Sequence, residues 1–404
     1  MKISRKKLCL GIFEIAFVFL LFQQNIFPSE LTFISLLLTV IAGIFLIMLD
    51  GKFYLNPFLI SYGLFFLFAL ILSLIGWGTG NVEDRLMLLL MKYVSSIFIY
   101  NYLMRLEKPE KFMRLYVAIS IISLVIIFLL VGDNAVASRL GHNGSGSIVS
   151  YQIAGVPIYK SSNGTATFCA IATLFLLYYS VRFKKWYCYI FIVFLTIGML
   201  LSGSRKGLLI YILYIIYTYF FMRKGITLKK IVLFLVVPIA GYILLSKVPI
   251  IYDAVGIRLE SMIMNIFSQS NSLDGNSYLM RQQLKNVAYE WIGSKPFLGY
   301  GFNTFQTATG YGAENNLLQI MVEFGLIGAL IYYSFLFSLF RVILRIKNKS
   351  VLAGLFSVLI LSILLQDYGS VTYSWQHMTI WYSVFWAVAN HHMERKKFIK
   401  LYNK

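Results

Sequence analysis

Charged residues are scarce in this chain of 404 residues, and their scarcity excludes an ordinary soluble protein. They make up 13% of the sequence, whereas soluble domains carry about 25%. Hydrophobic residues account for 59%, and the mean hydropathy is +0.75. Apolar runs long enough to cross a ~30 Å hydrocarbon core as helices recur along the chain. The composition therefore predicts an all-α, polytopic membrane protein.

Cysteine and histidine are also rare. The three cysteines, Cys9, Cys169 and Cys188, all lie away from the predicted outer loops, which leaves no pair for an exported disulfide. The four histidines show no zinc or haem spacing, and neither a metal nor another cofactor is predicted. A P-loop is absent as well, so nucleotide hydrolysis has no predicted site.

Twelve apolar segments predict about twelve transmembrane helices in a single integral membrane domain, residues 1–404. Of the Lys and Arg residues, 25 lie in connecting segments on one side and 10 on the other. The positive-inside rule places the richer side, with both termini, in the cytoplasm. Most of the net charge of +20 thus follows from orientation, and no nucleic-acid partner is predicted. The predicted spans are 8–27, 31–49, 58–77, 86–103, 115–131, 165–181, 186–202, 207–222, 231–246, 315–340, 351–366 and 377–390.

Two predicted outer segments are long, a first loop at 132–164 and a second at 247–313, whereas every inner loop is short. This asymmetry is typical of an enzyme that works on the outer face. Within the second loop, apolar residues recur at three- and four-residue spacing over Asp274–Ile292 and predict an amphipathic helix. Beyond it, Gly299 and Gly301 predict a turn or a close backbone approach.

Several outer cations are candidate anion-binding residues. Arg205 and Lys206 follow small residues at the outer start of a predicted helix, where free N–H groups and a guanidinium favour a phosphate. Arg281 lies on one flank of the amphipathic helix, and Arg139 and Arg258 are further outer arginines. The alternative for each is a solvated or snorkelling side chain.

The tenth predicted span carries polar groups along one face. Asn315, Gln319 and Glu323 follow one another at four-residue spacing, and Glu314 stands at the outer mouth of the same helix. An ionisable group within a span is costly and is by default a functional hypothesis. The alternative is a structural hydrogen bond to another helix, or a protonated carboxyl group for Glu323.

Two other outer side chains are candidate substrate-binding residues. His377 could face the same outer cavity as Glu314. Tyr300 is one of several outer aromatic residues that could stack on sugar rings or belong to the interfacial aromatic belt.

Three motifs occur in the order found in a known group of membrane glycosyltransferases. Through them the chain resembles the O-antigen ligase and polymerase superfamily, the Wzy/WaaL-like proteins, over roughly residues 139–330. The motifs are Ser202-Gly203-Ser204-Arg205 at an outer helix start, then Arg281, Trp291, Pro296, Gly299, Gly301 and Phe305 in the long loop, then Asn315 through Gly325 and Gly328 in the next helix.

The resemblance implies a GT-C-like membrane glycosyltransferase architecture and a site on the outer face of a bacterial cytoplasmic membrane. The implied donor is an undecaprenyl-diphosphate-linked oligosaccharide, used without a metal, and the implied partners are membrane lipid and the flippase and chain-length regulators of the same pathway. Arg205 and Arg281 would hold the donor diphosphate and stabilise it as the leaving group.

One departure from the family pattern favours one activity over another. The ligase subfamily has a histidine where this chain has Glu314. A carboxylate can still accept the proton of an acceptor hydroxyl, and Asn315 would orient that acceptor. The departure favours a repeat-unit polymerase. The alternatives are a ligase that moves glycan to a lipid, protein or wall acceptor, and a flippase or transporter of lipid-linked glycan.

Overall fold

The computed structural model describes most of the chain as a set of apolar helices, as the composition predicts. Among the described residues, five helices are long and apolar enough to cross a membrane, and four shorter helices are also apolar. The protein is thus a polytopic helical membrane protein. The described residues are 5–27, 29–106, 110–131, 148–153, 156–202, 207, 210–214, 273–346 and 351–402.

The helices form where the apolar runs predict them. Their limits are α1 (Arg5–Asn25), α2 (Thr32–Asp50), α3 (Pro57–Leu74), α4 (Val82–Arg105), α5 (Glu110–Val131), α6 (Ser162–Phe183), α7 (Cys188–Ser202), α8 (Leu273–Ser294), α9 (Thr304–Thr309), α10 (Asn316–Tyr333), α11 (Phe335–Ile346), α12 (Val351–Tyr368) and α13 (Gln376–Tyr402).

Nine of the twelve predicted spans each coincide with one of these helices. The predicted span 231–246 lies outside the described residues, as does most of 207–222, so the count of twelve stays a prediction. The predicted span 315–340 differs, because it contains two helices, α10 and α11, and α10 is itself interrupted by a non-helical residue, Gly325. The GT-C-like architecture also stays a prediction.

The chain divides into two compact units. The first comprises residues Met1–Leu20, Glu30–Pro109 and Met280–Lys404. In it α4 packs against both α2 and α13, and α10 packs against α3. Buried aromatic rings fill the core between these helices, as where Phe58 stacks on Tyr382 with ring centroids 4.6 Å apart. This unit carries the loop that leads into α10.

The second unit comprises Leu21–Ser29 and Glu110–Leu279. In it α5, α6 and α7 pack against one another closely, and a Cβ added to Gly198 would lie 2.4 Å from Leu124. Small residues let helix backbones approach in this way within a membrane. Directly before α6 an antiparallel hairpin, β1 (Ile148–Ile153) and β2 (Val156–Ser161), occupies part of the predicted first outer loop. The sequence analysis had predicted no strand there.

Candidate functional site

The predicted amphipathic helix is confirmed as α8. Its buried positions, Leu284 and Ala288, pack with Phe305, Ala313 and Val322 in one hydrophobic cluster. Those partners lie in the loop after α8 and at the start of α10, so α8 is fixed over the N-terminal end of α10. The two basic residues, Arg281 and Lys285, lie beside this buried face, Arg281 exposed and Lys285 half-buried.

Aromatic contacts fix the chain just after α8. The ring of Trp291 lies 4.8 Å from that of Tyr300 and 5.5 Å from that of Phe305. The ammonium group of Lys295 lies 4.6 Å from the Tyr300 ring and 5.4 Å from the Trp77 ring. Tyr300 therefore takes part in packing and cation–π contacts, and its predicted role in sugar stacking stays a prediction.

The segment Pro296–Gly301 hydrogen-bonds into a break in the membrane helix α10, and we call this arrangement the clip. The N–H groups of Tyr300 and Gly301 donate to the carbonyl oxygens of Val322 and Glu323 at 2.9 and 2.7 Å. On the other side of the break, Leu326 and Ile327 donate to the carbonyls of Pro296 and Phe297 at 2.8 and 3.2 Å. Backbone groups freed within a membrane need such partners, and the clip supplies them.

Three glycines make the clip possible. Gly325 interrupts α10 with φ 64°, and a Cβ there would lie 2.2 Å from the Phe297 carbonyl carbon. Gly299 has φ 69° and faces the Glu323 carbonyl carbon at 2.5 Å, measured in the same way. Gly301, with φ 97°, faces the Trp77 carbonyl carbon at 2.4 Å. The predicted close approach is confirmed, and the glycine spacing of the loop and helix motifs has a structural cause.

Beyond the clip, the loop between α8 and α10 is attached to the turn between α3 and α4. Phe302 forms a parallel β-bridge with Gly78, and the Asn303 side chain donates to the Thr79 carbonyl at 3.1 Å. Arg85 donates to the Gln306 side chain at 2.9 Å. The loop is therefore held on both sides, by α10 and by the α3–α4 turn.

At the N-terminal end of α10, Arg281 and Glu314 form an ion pair, which we call the mouth pair. The Arg281 Nε lies 3.7 Å from Glu314 Oε2, and the side chains are 44% and 34% exposed. The distance is longer than that of a good hydrogen bond, so the contact is a loose one. A substrate could reach both groups from outside. The structure thus brings together two of the three predicted catalytic residues.

The backbone of Glu314 has φ 53°, a conformation that residues other than glycine seldom adopt. Its neighbours are held on both sides. The N–H of Ala313 donates to Gln319 Oε1 at 2.7 Å. Asn315 caps α10 by accepting from the Leu318 N–H at 3.0 Å, and its amide donates to the Tyr368 carbonyl at 3.2 Å. Asn315 is thus engaged in capping, and its predicted acceptor-binding role stays a prediction.

A second cation lies beside the mouth pair. Lys285 is one helical turn beyond Arg281 on α8, and its ammonium group lies 4.8 Å from the Tyr368 ring. Tyr368 is 71% exposed at the end of α12. Neither residue was predicted from the sequence to belong to the site. The four-residue spacing from Arg281 was the signal for Lys285, whereas Tyr368 lies too far along the chain to give one.

The predicted polar stripe on α10 exists, but it is turned into the protein. Gln319 Nε2 donates to Glu323 Oε1 at 2.7 Å, and the Tyr373 hydroxyl donates to Glu323 Oε2 at 3.0 Å. Gln319 is 2% exposed and Glu323 is 1% exposed. Burial raises the pKa of Tyr373 well above its usual value, so its hydroxyl remains a donor at neutral pH. A direct substrate contact for Gln319 and Glu323 stays a prediction.

A further buried network places Tyr373. The side-chain oxygen of Asn316 accepts from the N–H groups of Thr372 and Tyr373 at 2.9 and 2.8 Å. The Asn316 amide donates to the Tyr333 hydroxyl, which in turn contacts Asp367. The turn between α12 and α13 is thereby fixed against α10.

The other predicted site residues cannot be placed relative to this cluster. Arg139, Arg205, Lys206 and Arg258 lie outside the described residues, and for His377 the structure describes the backbone alone, at the start of α13. Within the described ranges, no three His, Cys, Asp or Glu side chains are grouped so that they could hold a metal ion.

Comparison with known proteins bears out the resemblance at the level of the superfamily. Residues 190–333, about a third of the chain, match the family described as O-Antigen ligase. The matched range contains α8, the clip and the mouth pair. Neither a curated protein nor a solved structure matches the chain. The match supports the O-antigen ligase/polymerase superfamily and a membrane glycosyltransferase activity of the ligase or polymerase type.

Proposed function

We propose that this chain, whose residues 190–333 carry the O-antigen ligase domain, is a polysaccharide polymerase. It would join undecaprenyl-diphosphate-linked repeat units on the outer face of a bacterial cytoplasmic membrane, for capsule, exopolysaccharide or O-antigen. The observation that carries the proposal is the exposed mouth pair, placed at the end of a membrane helix within the matched domain.

The mouth pair offers the two groups that such a transfer needs. The bond between the anomeric carbon of the growing chain and the diphosphate oxygen breaks, and a glycosidic bond to the acceptor hydroxyl forms. Arg281 would bind the diphosphate as its negative charge develops. Glu314 would accept the proton of the acceptor hydroxyl. No nucleotide sugar or metal enters this scheme.

Lys285 is the second cation for the diphosphate. A diphosphate carries more than one negative charge, and at rest Arg281 shares its charge with Glu314. Lys285, one turn away and held at the Tyr368 ring, adds charge on the same flank of α8. Arg205 and Lys206 keep their proposed place in the donor site, on the resemblance alone.

The donor and the base meet at one guanidinium group. A diphosphate that binds Arg281 competes with Glu314 for the guanidinium group. Because the contact between Arg281 and Glu314 is loose, at 3.7 Å, little free energy is lost when it breaks. Donor binding would therefore release the Glu314 carboxylate toward the acceptor. In this order of events the base becomes available once the donor is bound.

A ligase is the second candidate, because the matched family is described as O-Antigen ligase. A ligase would use the same donor and pass the glycan once to a lipid, protein or wall acceptor. We favour the polymerase because Glu314 stands where the ligase subfamily, by resemblance, has a histidine.

The deciding experiment supplies purified protein with lipid-linked repeat units and no other protein. A ladder of products is expected from a polymerase. A single transfer that requires an added lipid acceptor would show a ligase. Movement of the lipid-linked glycan across vesicle membranes with no covalent product would overturn both enzyme proposals in favour of a flippase. The variant Glu314→Gln, which keeps the size of the side chain, tests whether the chemistry depends on the carboxylate of the mouth pair.

A further inference from the structure

We propose that Gln319, Glu323 and Tyr373 are positioning residues, a support chain that holds Glu314 in place from below. The inference rests on the proposed function, in which Glu314 accepts the acceptor proton. It gives the buried part of the polar stripe a role other than the direct substrate contact that its spacing predicts.

The support chain begins at Ala313, the residue before Glu314. The Ala313 N–H donates to Gln319 Oε1 at 2.7 Å, and Ala313 is fully buried. On the other side of Glu314, the Asn315 side chain caps α10. Both neighbours of Glu314 are therefore fixed. Ala313 is held by the Gln319 side chain, and Asn315 is held by its own cap on α10.

Glu323 sets the direction of the Gln319 amide. Gln319 can accept from the Ala313 N–H only if its side-chain oxygen points toward Ala313 and its side-chain nitrogen points toward Glu323. Glu323 enforces this orientation by accepting from Gln319 Nε2 at 2.7 Å. With Glu323 ionised, the reversed amide would place two acceptor oxygens together, because a carboxylate cannot donate.

Tyr373 and the clip fix Glu323 in turn. The Tyr373 hydroxyl donates to the second oxygen of Glu323, and the N–H of Tyr373 is held by Asn316. The backbone carbonyl of Glu323 accepts from the Gly301 N–H of the clip at 2.7 Å. The support chain therefore ends on parts of the protein that are themselves anchored.

Glu314 needs this support because of its backbone. A residue other than glycine at positive φ is strained and persists only when its surroundings determine it. If the Ala313 N–H lost its acceptor, the segment could relax toward negative φ. The Glu314 carboxylate would then leave its position beside Arg281, where the donor and acceptor meet.

A direct role in substrate binding or in charge transfer makes a different prediction for Glu323. Both of its oxygens are occupied by protein groups, and its side chain is buried. A glutamine at 323 can accept from Gln319 through its oxygen while its amide nitrogen donates to the Tyr373 hydroxyl. A support role thus tolerates Glu323→Gln, whereas a role that needs the charge does not.

The test measures kcat and the donor KM for polymerisation by purified variants. Gln319→Leu and Glu323→Leu are expected to lower kcat about 100-fold, the usual cost of misplacing a catalytic group by about 1 Å. The donor KM should change little because Arg281 is untouched. Glu323→Gln should restore most of the kcat, and Tyr373→Phe should show a smaller loss than Glu323→Leu. Tyr373→Phe removes one oxygen atom and carries the test if a leucine variant does not accumulate.

The double variant Glu314→Gln with Glu323→Leu separates the two proposals. If Glu323 acts through Glu314, the double variant should be no slower than Glu314→Gln alone. Additive losses, or a loss in Glu323→Gln as large as in Glu323→Leu, would overturn the support chain and leave Glu314 as the base. Full activity in Glu314→Gln would overturn the proposed function, and the support chain with it.

Discussion

The clip and the mouth pair belong to one stretch of sequence, yet their polar groups differ in type and in how closely they are paired. In the clip, backbone groups are paired with other backbone groups at 2.7 to 3.2 Å. In the mouth pair, two charged side chains are partly exposed, at 44% and 34%, and their nearest atoms are 3.7 Å apart. The comparison shows that the residues of the motif divide by task. The glycines build a broken helix, and the charged residues beside its N-terminal end stay partly exposed, as the proposed chemistry requires.

The support chain lies between these two regions and connects them. It shares the Glu323 backbone with the clip and the Ala313–Asn315 segment with the mouth pair. A polar group within a membrane helix is therefore not sufficient evidence of substrate contact. What decides is whether protein already occupies its hydrogen-bonding atoms.

The largest effect is expected from Gly325→Ala, which attacks the clip. The new Cβ would lie 2.2 Å from the Phe297 carbonyl carbon at a residue with φ 64°, and backbone cannot move aside cheaply. Strain and overpacking together should destabilise the protein by about 2–6 kcal/mol. Thermal unfolding in detergent measures the loss.

Two other glycines are matched controls for that substitution. Gly310 has φ 75°, but a Cβ there would meet no atom within 4 Å. Gly293 has no positive φ, and a Cβ there would also meet no atom within 4 Å. The expected order of stability loss is Gly325, Gly310 and then Gly293. Equal stability for all three variants would show that the clip is not required for folding.

Glu314→Gln attacks the mouth pair and should leave the fold unchanged. Loss of a general base lowers kcat by about 10²–10⁴-fold, and the same loss is expected here. The rate of polymer growth on lipid-linked repeat units measures it. Glu290→Gln, an exposed change on α8, is the control and should retain full activity. A Glu314→Gln protein that unfolds would instead give the residue a structural task like that of the clip.

Arg281→Gln should weaken donor binding more than it changes the fold. A hydrogen bond to a charged group contributes about 1.5–3 kcal/mol, which corresponds to a rise of about 10–100-fold in the donor KM. The control is Arg341→Gln, the same change at an exposed position on α11. An unchanged donor KM in Arg281→Gln would remove the arginine from the donor site.

Tyr368→Leu should have the smallest effect, because it releases Lys285 without removing its charge. A cation–π contact at an exposed site is worth about 0.5–1 kcal/mol, so a rise of about 2–5-fold in the donor KM is expected. Tyr289→Leu changes another exposed tyrosine, on α8, and should be neutral. If the two variants behave alike, the Lys285–Tyr368 contact does not serve donor binding.

Much of this architecture follows from the sequence alone. Long apolar runs predict the helices, and three- and four-residue spacing predicts α8, because burial of one helix face has a period that can be read directly. The glycines at 299 and 301 predict a close approach, but their partner across the break in α10 is set by tertiary packing. No spacing in the sequence reveals that Tyr373, fifty residues beyond Glu323, completes the support chain.

The central claim is that Glu314 takes part in the chemistry, whereas the buried Glu323 only supports it. The most direct test makes the same substitution at both carboxylates. Glu314→Gln and Glu323→Gln are compared in the same polymerisation assay with lipid-linked repeat units. The account predicts that Glu314→Gln abolishes most polymer growth and that Glu323→Gln retains most of it. Retained growth in Glu314→Gln with lost growth in Glu323→Gln would contradict it.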